Sequence, residues 1–315
     1  MAIPIGKTTS IVFRTLPFIV LRFFVSLFFA LMGLFYLGIL YVIGQGVAPL
    51  HEYARPAVWI IGVLSSFPLV RLAKEYLLYL VKAAHIAVIA ELATKGSLPD
   101  GASQIGWGRT QVTARFKGAS ALFVVDRLVA GVIRVINGMM WQIGNIFGAI
   151  PGVKGLISLF NVILRFSLTY VDESILARNF LKPNETVWES ARTGLVLYAQ
   201  SWREILVTSI FLAVGAVVFL PVVFVLLLGP ALGLAEVYPS LKIGFIAGAA
   251  FFTFTIKTAF FDPWTLTAMI LTYLKATEGK QADPQWEAKL ESVSKKFKKL
   301  KAKSLENPTP TPAQA

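Results

Sequence analysis

The residues best placed to do chemistry in this 315-residue sequence are three arginines inside a very apolar stretch. Arg127 and Arg134 fall on one stripe with Lys117, Ser120, Gly131, Gly138, Gln142 and Asn145. Arg165 falls on a second stripe with Lys154, Ser158, Asn161, Thr169 and Asp172. Members recur every three or four residues, apart from one skipped turn in the first stripe. Positions so spaced share a helix face. If the stripes line a path, that path is basic and suits an anion or a phospholipid headgroup. The competing reading has the same arginines snorkelling to headgroups around amphipathic helices. Asp126, Asp172 and Glu173 lie nearby in sequence. Asp172 and Glu173 are neighbours, which a helix turns about 100° apart, so they make a poor catalytic dyad.

Other chemistries are excluded or unsupported. There is no cysteine, which excludes disulfides, thiolate metal sites and cysteine nucleophiles. The two histidines, His51 and His85, lie far apart in the chain. His85 and Glu91 are six residues apart, on roughly opposite sides of a helix, and read as a packing histidine and a solvated glutamate. No serine, histidine and aspartate fall in triad order. The glycine-rich loop around Pro99-Asp100-Gly101 follows no strand and ends in no Gly-Lys-Ser/Thr, so it does not read as a phosphate cradle. No enzyme and no cofactor is expected.

The stripes need elements to carry them, and composition says what kind. The chain is 56% hydrophobic and 15% charged, against roughly 25% charged in soluble domains. A membrane helix needs about 20 apolar residues. Phe18 to Ile43 supplies them, interrupted mainly by Arg22. Pro56 to Val70 starts a second span, which runs on through Tyr76 to Leu92. Continuous helix over 57–92 would be about 54 Å long, longer than a bilayer. The Pro99-Asp100-Gly101 turn and Gly106-Trp107-Gly108 mark a loop up to Arg109. Two long helices then fill Arg109 to Leu181, joined by a Gly/Pro-rich hinge from Gly144 to Gly155. Thr186 and Glu189 have capping-box spacing and open a short amphipathic helix. Ile205 to Leu228 is a third span containing Pro221, and 229–240 is read as a loop. Ile243 to Phe261 is a fourth. Asp262-Pro263 restarts an amphipathic helix, expected to be interfacial. Gly144, Gly148, Gly244 and Gly248 would allow close helix packing, within the chain or between chains.

The tail is different. Asp283 caps and Pro284 opens a helix. Trp286, Leu290, Val293, Phe297 and Leu300 repeat as a heptad seam, while Lys295, Lys296, Lys298 and Lys299 cover other faces. The expected role is a helix lying on an anionic leaflet; a docking helix or short coiled coil is the alternative. The last nine residues, Pro/Thr-rich, are expected to be disordered.

The expected fold is therefore an all-α integral membrane protein. It has four clear transmembrane helices, a central amphipathic or re-entrant hairpin, and a cytoplasmic amphipathic C-terminal helix. Six spans result if the hairpin crosses. The divisions are 1–94, a helix pair with its cytoplasmic extension; 95–182, the hairpin; 183–278, the second pair; and 279–315, the tail. The formal charge is +13. The outer loops, 44–55 and 229–242, hold only Arg55 and Lys242 of the 30 Lys+Arg. That is the positive-inside pattern, so the excess points to a membrane surface and not to nucleic acid. Both termini are expected in the cytoplasm, in a prokaryotic inner membrane or a plasma membrane. Membrane lipids, chiefly anionic, are the expected partners, with a homo-oligomer or larger membrane complex possible.

One layout resembles a known family. Tyr170-Val-Asp-Glu173 and Trp188-Glu-Ser-Ala-Arg192 precede two spans. Ala259-Phe-Phe-Asp262, Thr267 to Lys275 and Gly279 follow them. The order is similar to the C-terminal half of choline transporter-like proteins, over about 100 residues. The large cysteine-bearing extracellular loop of that family is missing, and basic stripes suit a cationic substrate badly. The resemblance implies a transporter-like membrane domain and carries no substrate site. Function is accordingly expected to be transporter- or channel-like, acting on a small polar solute or lipid headgroup through the hairpin. The alternative is a non-catalytic membrane scaffold or accessory subunit held to anionic lipid by hairpin and tail.

Overall fold

A computed structural model of the chain describes residues 4–116, 124–136, 138 and 170–307. The described residues are helices joined by short turns, without a strand among them. Four stretches are long and apolar enough to cross a membrane: Leu16–Val47, Tyr76–Thr94, Trp202–Val237 and Pro239–Thr277. Burial separates them. Over 18 apolar residues of each, only 19%, 17% and 17% of the first, third and fourth is covered by protein, against 56% in Tyr76–Thr94. The first, third and fourth therefore expose long apolar surfaces, which water disfavours and lipid accepts. Tyr76–Thr94 is largely a core helix.

The chain divides into two compact units. The smaller, Leu16–Ala83, is a helical hairpin. Its arms are α2 (Leu16–Val47) and the first part of α3 (Ala54–Thr94). α3 has 41 residues, so it is about 60 Å long at the standard rise. The arms meet at Gly62. Tyr36 donates to the Gly62 carbonyl at 3.0 Å, and Leu40 lies so close that a Cβ at Gly62 would be 2.5 Å from its Cδ2. Outward-facing Phe24, Phe28, Phe35, Ile61 and Leu64 are exposed.

The larger unit joins Met1–Thr15 to Ala84–Ala315. Its elements are α1 (Ile5–Arg14), the end of α3, α4 (Gln104–Phe116), α5 (124–136), α6 (170–181), α7 (Val187–Gln200), α8 (Trp202–Val237), α9 (Lys242–Ile256), α10 (Asp262–Thr277), α11 (Pro284–Val293) and α12 (Lys295–Glu306). Ile86 to Ala90 of α3 are buried on every side. Side chains close the helix ends that meet here. Lys7 donates to the Ala93 carbonyl at 2.8 Å, and Gln104 to the Arg14 carbonyl at 2.6 Å. Each satisfies a carbonyl left over at a helix C-terminus. The Pro99 turn forms as the sequence indicates: Ala102 N–H donates to Pro99 at 3.2 Å, and Gly101 has φ +74°, which glycine tolerates without strain.

The Thr186 cap forms, its hydroxyl accepting from Glu189 N–H at 3.2 Å. So does the Asp283 cap, accepting from Gln285 N–H at 2.8 Å. Three expectations are revised. α8 runs 36 residues through Pro221 and Pro230, so the loop read at 229–240 shrinks to Tyr238 and a 3-10 turn at Pro239–Leu241. The Ala- and Leu-rich sequence after Pro230 keeps propagating helix once the lost bond is absorbed. α10 is no interfacial helix, because Thr265 to Tyr273 are all buried against α1, α7 and α8. The tail is two helices, not one. Ser294 turns extended (φ −131°, ψ 107°) and its hydroxyl caps α12 at Phe297 N–H.

The tail seam is covered by this chain. Leu290, Phe297 and Leu300 are buried, and α12 packs on α7. Trp286 and Val293 stay at least partly exposed. Lys301 pairs with Glu291 at 2.7 Å and Glu287 at 3.2 Å, and the Lys303 ammonium sits 4.8 Å from the Trp188 ring centroid. Such half-exposed pairs contribute little; removing a buried phenylalanine ring costs about 3–5 kcal/mol. Phe297→Ala should therefore undock α12, read as faster hydrogen exchange in α7, whereas Lys301→Gln should leave it docked. The pair adds a pH signature. The Lys301 hydrogen bond holds the Glu291 pKa below its ordinary 4.5, so this contribution is full above that value and is lost as pH falls through the lowered pKa. Hydrogen bonds from Glu291 and Glu287 hold Lys301 above its ordinary 10.5, so its contribution is lost only as pH rises through the raised value. Exchange in α7 should be flat between those limits after correction for intrinsic rates.

Candidate functional site

Lys257, Asp262 and Tyr170 meet where the last apolar helix enters the folded unit. α9 and α10 form one continuous rod, but Lys257–Phe261 between them is a π-turn. Asp262 N–H donates to the Lys257 carbonyl five residues back. The widening falls just before Pro263, whose missing N–H deprives the preceding turn of a regular bond. In an α-helix, residues five apart point about 140° away from each other. The π-turn removes that offset, and Lys257 Nζ lies 2.8 Å from Asp262 Oδ1. π-turns inside helices recur at functional sites.

The same Oδ1 also accepts from the Tyr170 hydroxyl at 3.1 Å. Tyr170 is buried and belongs to α6, the end of the central stretch. One carboxylate oxygen thus serves a cation on its own helix and a phenol from another. The surroundings fix it. Phe261 stacks on Phe219 of α8 with centroids 4.8 Å apart. Trp264 Nε1 donates to the Thr9 hydroxyl at 3.1 Å, tying α10 to α1. Lys257 and Asp262 side chains remain about a quarter exposed, 27% and 23%. A solute with donors or acceptors could therefore exchange partners with them. The ion pair itself is close to neutral.

A second polar node holds α6, α7 and α10 together. Arg178 grips Glu185 with two bonds, 2.6 and 2.9 Å, and donates to the Ser190 hydroxyl at 2.7 Å and carbonyl at 3.1 Å. Arg115 of α4 donates to the Lys182 and Pro183 carbonyls. Burial lowers the Arg115 pKa, with Glu185 opposing and Arg178 reinforcing that shift. Tyr273 donates to the Gly194 carbonyl at 3.0 Å. Gly194 is needed for this approach: a Cβ there would lie 3.0 Å from Ile175 and 3.2 Å from the Tyr273 hydroxyl. This node is a structural clamp, since most of its donors and acceptors are spent on one another, Arg115 Nε excepted.

The sequence-predicted residues fall as follows. Arg127 and Arg134 lie on the exposed side of α5, opposite buried Val125, Leu128, Val129, Val132, Ile133 and Ile136. Asp172 is half-buried and accepts from Glu173 N–H at 3.1 Å. Arg165, Asn161, Gly144 and Gly148 lie outside the described residues. A Cβ at Gly244 or Gly248 would meet nothing within 4 Å, so neither serves close packing within the described chain. Lys295, Lys296, Lys298 and Lys299 are exposed. His85 and Glu91 are both buried; Glu91 is held by Lys95 at 2.8 Å and is not the solvated glutamate expected. The Tyr170–Asp262 contact was not among the predicted sites. The two residues are 92 apart in sequence, and no spacing pattern links them.

Comparison with family models, with curated proteins and with solved structures finds no match for the chain.

The two nodes differ in their expected response to mutation. Arg178→Met leaves Glu185 and the Ser190 carbonyl partly buried without their donor, and breaking such a pair costs about 3 kcal/mol or more. A clear loss of thermal stability in detergent is expected. Lys257→Met, at a more exposed pair, should cost about 1 kcal/mol or less.

Proposed function

We propose that this chain is a multi-span membrane transport protein for a small polar solute. The observation that carries the proposal is the Asp262 carboxylate, shared by Lys257 and Tyr170 at a π-turn in the last apolar helix. Ionisable residues in or at the end of an apolar span are costly to desolvate, and a paired set facing other helices is a functional-site hypothesis by default. Lys242 to Asp262 is 21 residues, about 30 Å of helix, the thickness of a hydrocarbon core. The cluster therefore stands at the inner mouth of the span. Tyr170 brings the end of the central stretch to that mouth; Arg165 and Asn161 are five and nine residues earlier in sequence. The similarity of both motifs to choline transporter-like proteins points the same way.

Packing within the larger unit supports the topology. α1 precedes the first apolar helix and α10 follows the last, yet they touch through Thr9 and Trp264. Lys7 also reaches the end of α3. These contacts support a reading in which the two ends of the spanning region lie on one side and the chain crosses an even number of times. Crossings by α2, the first part of α3, α8 and α9 satisfy this. The central stretch then crosses twice or not at all. The charge distribution makes the common side cytoplasmic.

Purified protein in proteoliposomes should take up at least one of choline, ethanolamine, chloride or inorganic phosphate. Asp262→Asn should cut that uptake at least tenfold with only a modest loss of thermal stability, about 1–2 kcal/mol from the weakened hydrogen bonds, and Tyr170→Phe should cut it less. Uptake unaffected by both variants would contradict the site. No uptake of any probe would favour the scaffold reading.

A further inference from the structure

We propose that the joint face of α5 and α12 binds anionic phospholipid headgroups of the adjoining leaflet. The tail lysines and the central arginines are far apart in sequence, and the fold brings them together. The Lys296 side chain lies across α5 at Gly131, where a Cβ would collide with its Cδ and stand 2.5 Å from Nζ and 2.8 Å from Cε. Arg127 and Arg134 are four residues before and three after Gly131, on the same helix face, and both are exposed. The Lys296 ammonium therefore stands over α5 between two guanidinium positions. Lys295, Lys298 and Lys299 extend the same charge along exposed α12.

The chain arranges this at a cost. Glycine inside a helix is destabilising relative to alanine, and like charges on one surface repel. Among the described residues, no acid lies within ion-pair distance of Arg134, Lys295, Lys296, Lys298 or Lys299. The nearby acids of α11 are engaged elsewhere: Glu287 and Glu291 both hold Lys301. Asp126 is the acid on α5, beside Arg127 and off the Arg127–Gly131–Arg134 line. The apolar side of α12 is already spent on α7 through Phe297 and Leu300. What remains outward is cationic, with Val124 exposed at its start, three residues before Arg127. A flat cationic face with an apolar edge, on a chain bearing long exposed apolar helices, matches an anionic leaflet. An acidic protein or a nucleic acid would need neither the apolar edge nor the neighbouring spans.

The absence of cysteine makes the test clean. Ala302→Cys places one thiol on the exposed side of α12, in register with Lys295, Lys298 and Lys299. The thiol carries an environment-sensitive fluorophore, in full-length protein reconstituted into nanodiscs. Headgroup-attached quencher should quench it in discs containing phosphatidylglycerol, and at least threefold less in pure phosphatidylcholine. Replacing Lys295, Lys296, Lys298 and Lys299 with glutamine should raise the phosphatidylglycerol content needed for half-maximal quenching at least threefold, with thermal stability kept. Gly131→Ala, which displaces Lys296 alone, should give a smaller shift in the same direction. High salt should weaken quenching in the native background and not in the quadruple variant. Equal quenching in both lipids, or indifference to the quadruple variant, would overturn the proposal. So would displacement of the quenching by a short RNA duplex at lower charge concentration than soluble anionic headgroup.

Discussion

The structure depends on one carboxylate. Asp262 stands where an exposed apolar helix turns into the largely buried α10, and its Oδ1 accepts from Lys257 and Tyr170 together. The π-turn makes this possible, since a regular helix would aim Lys257 away. Everything C-terminal to it follows from α10. That helix packs on α1, α7 and α8, and α7 in turn carries α12. A change at Asp262 is thus positioned to reach both the last span and the central stretch.

Much of the fold was legible because helix signals are local. The long apolar runs, the Thr186 capping box, the Asp283 cap and the Pro99 turn each rest on a few adjacent residues, and each forms. The misreadings share one physical cause. An amphipathic pattern says that a face needs apolar cover, but not whether lipid or protein supplies it. α10 read as interfacial, yet protein covers it. The tail seam read as membrane-bound, yet Phe297 and Leu300 are buried against α7. The second half of α3 read as an extension of a span into the cytoplasm or along the interface, and protein covers it from Ala83 to Leu92.

The site was less legible because it depends on tertiary meeting points. Asp262 read as a helix start, and Lys257 lies five residues before it. Without the π-turn, spacing of five gives no reason to pair them. Tyr170 is 92 residues from Asp262, and nothing in periodicity links them. The basic stripe on α5 was visible, but the lysine lying over it comes from the tail. Gly131 belonged to the stripe as a gap, and the fold gives that gap a use.

A double-mutant cycle between Tyr170→Phe and Asp262→Asn tests the central claim most directly. Each variant removes one side of the shared bond, and thermodynamic stability in detergent is read for both and for the pair. Contact residues couple by about 0.5 kcal/mol or more, while independent sites add within about 0.3–0.5 kcal/mol. The account predicts clear non-additivity: once Asp262 is asparagine, loss of the Tyr170 hydroxyl should cost little. Strict additivity, with each substitution keeping its full effect in the presence of the other, would contradict it.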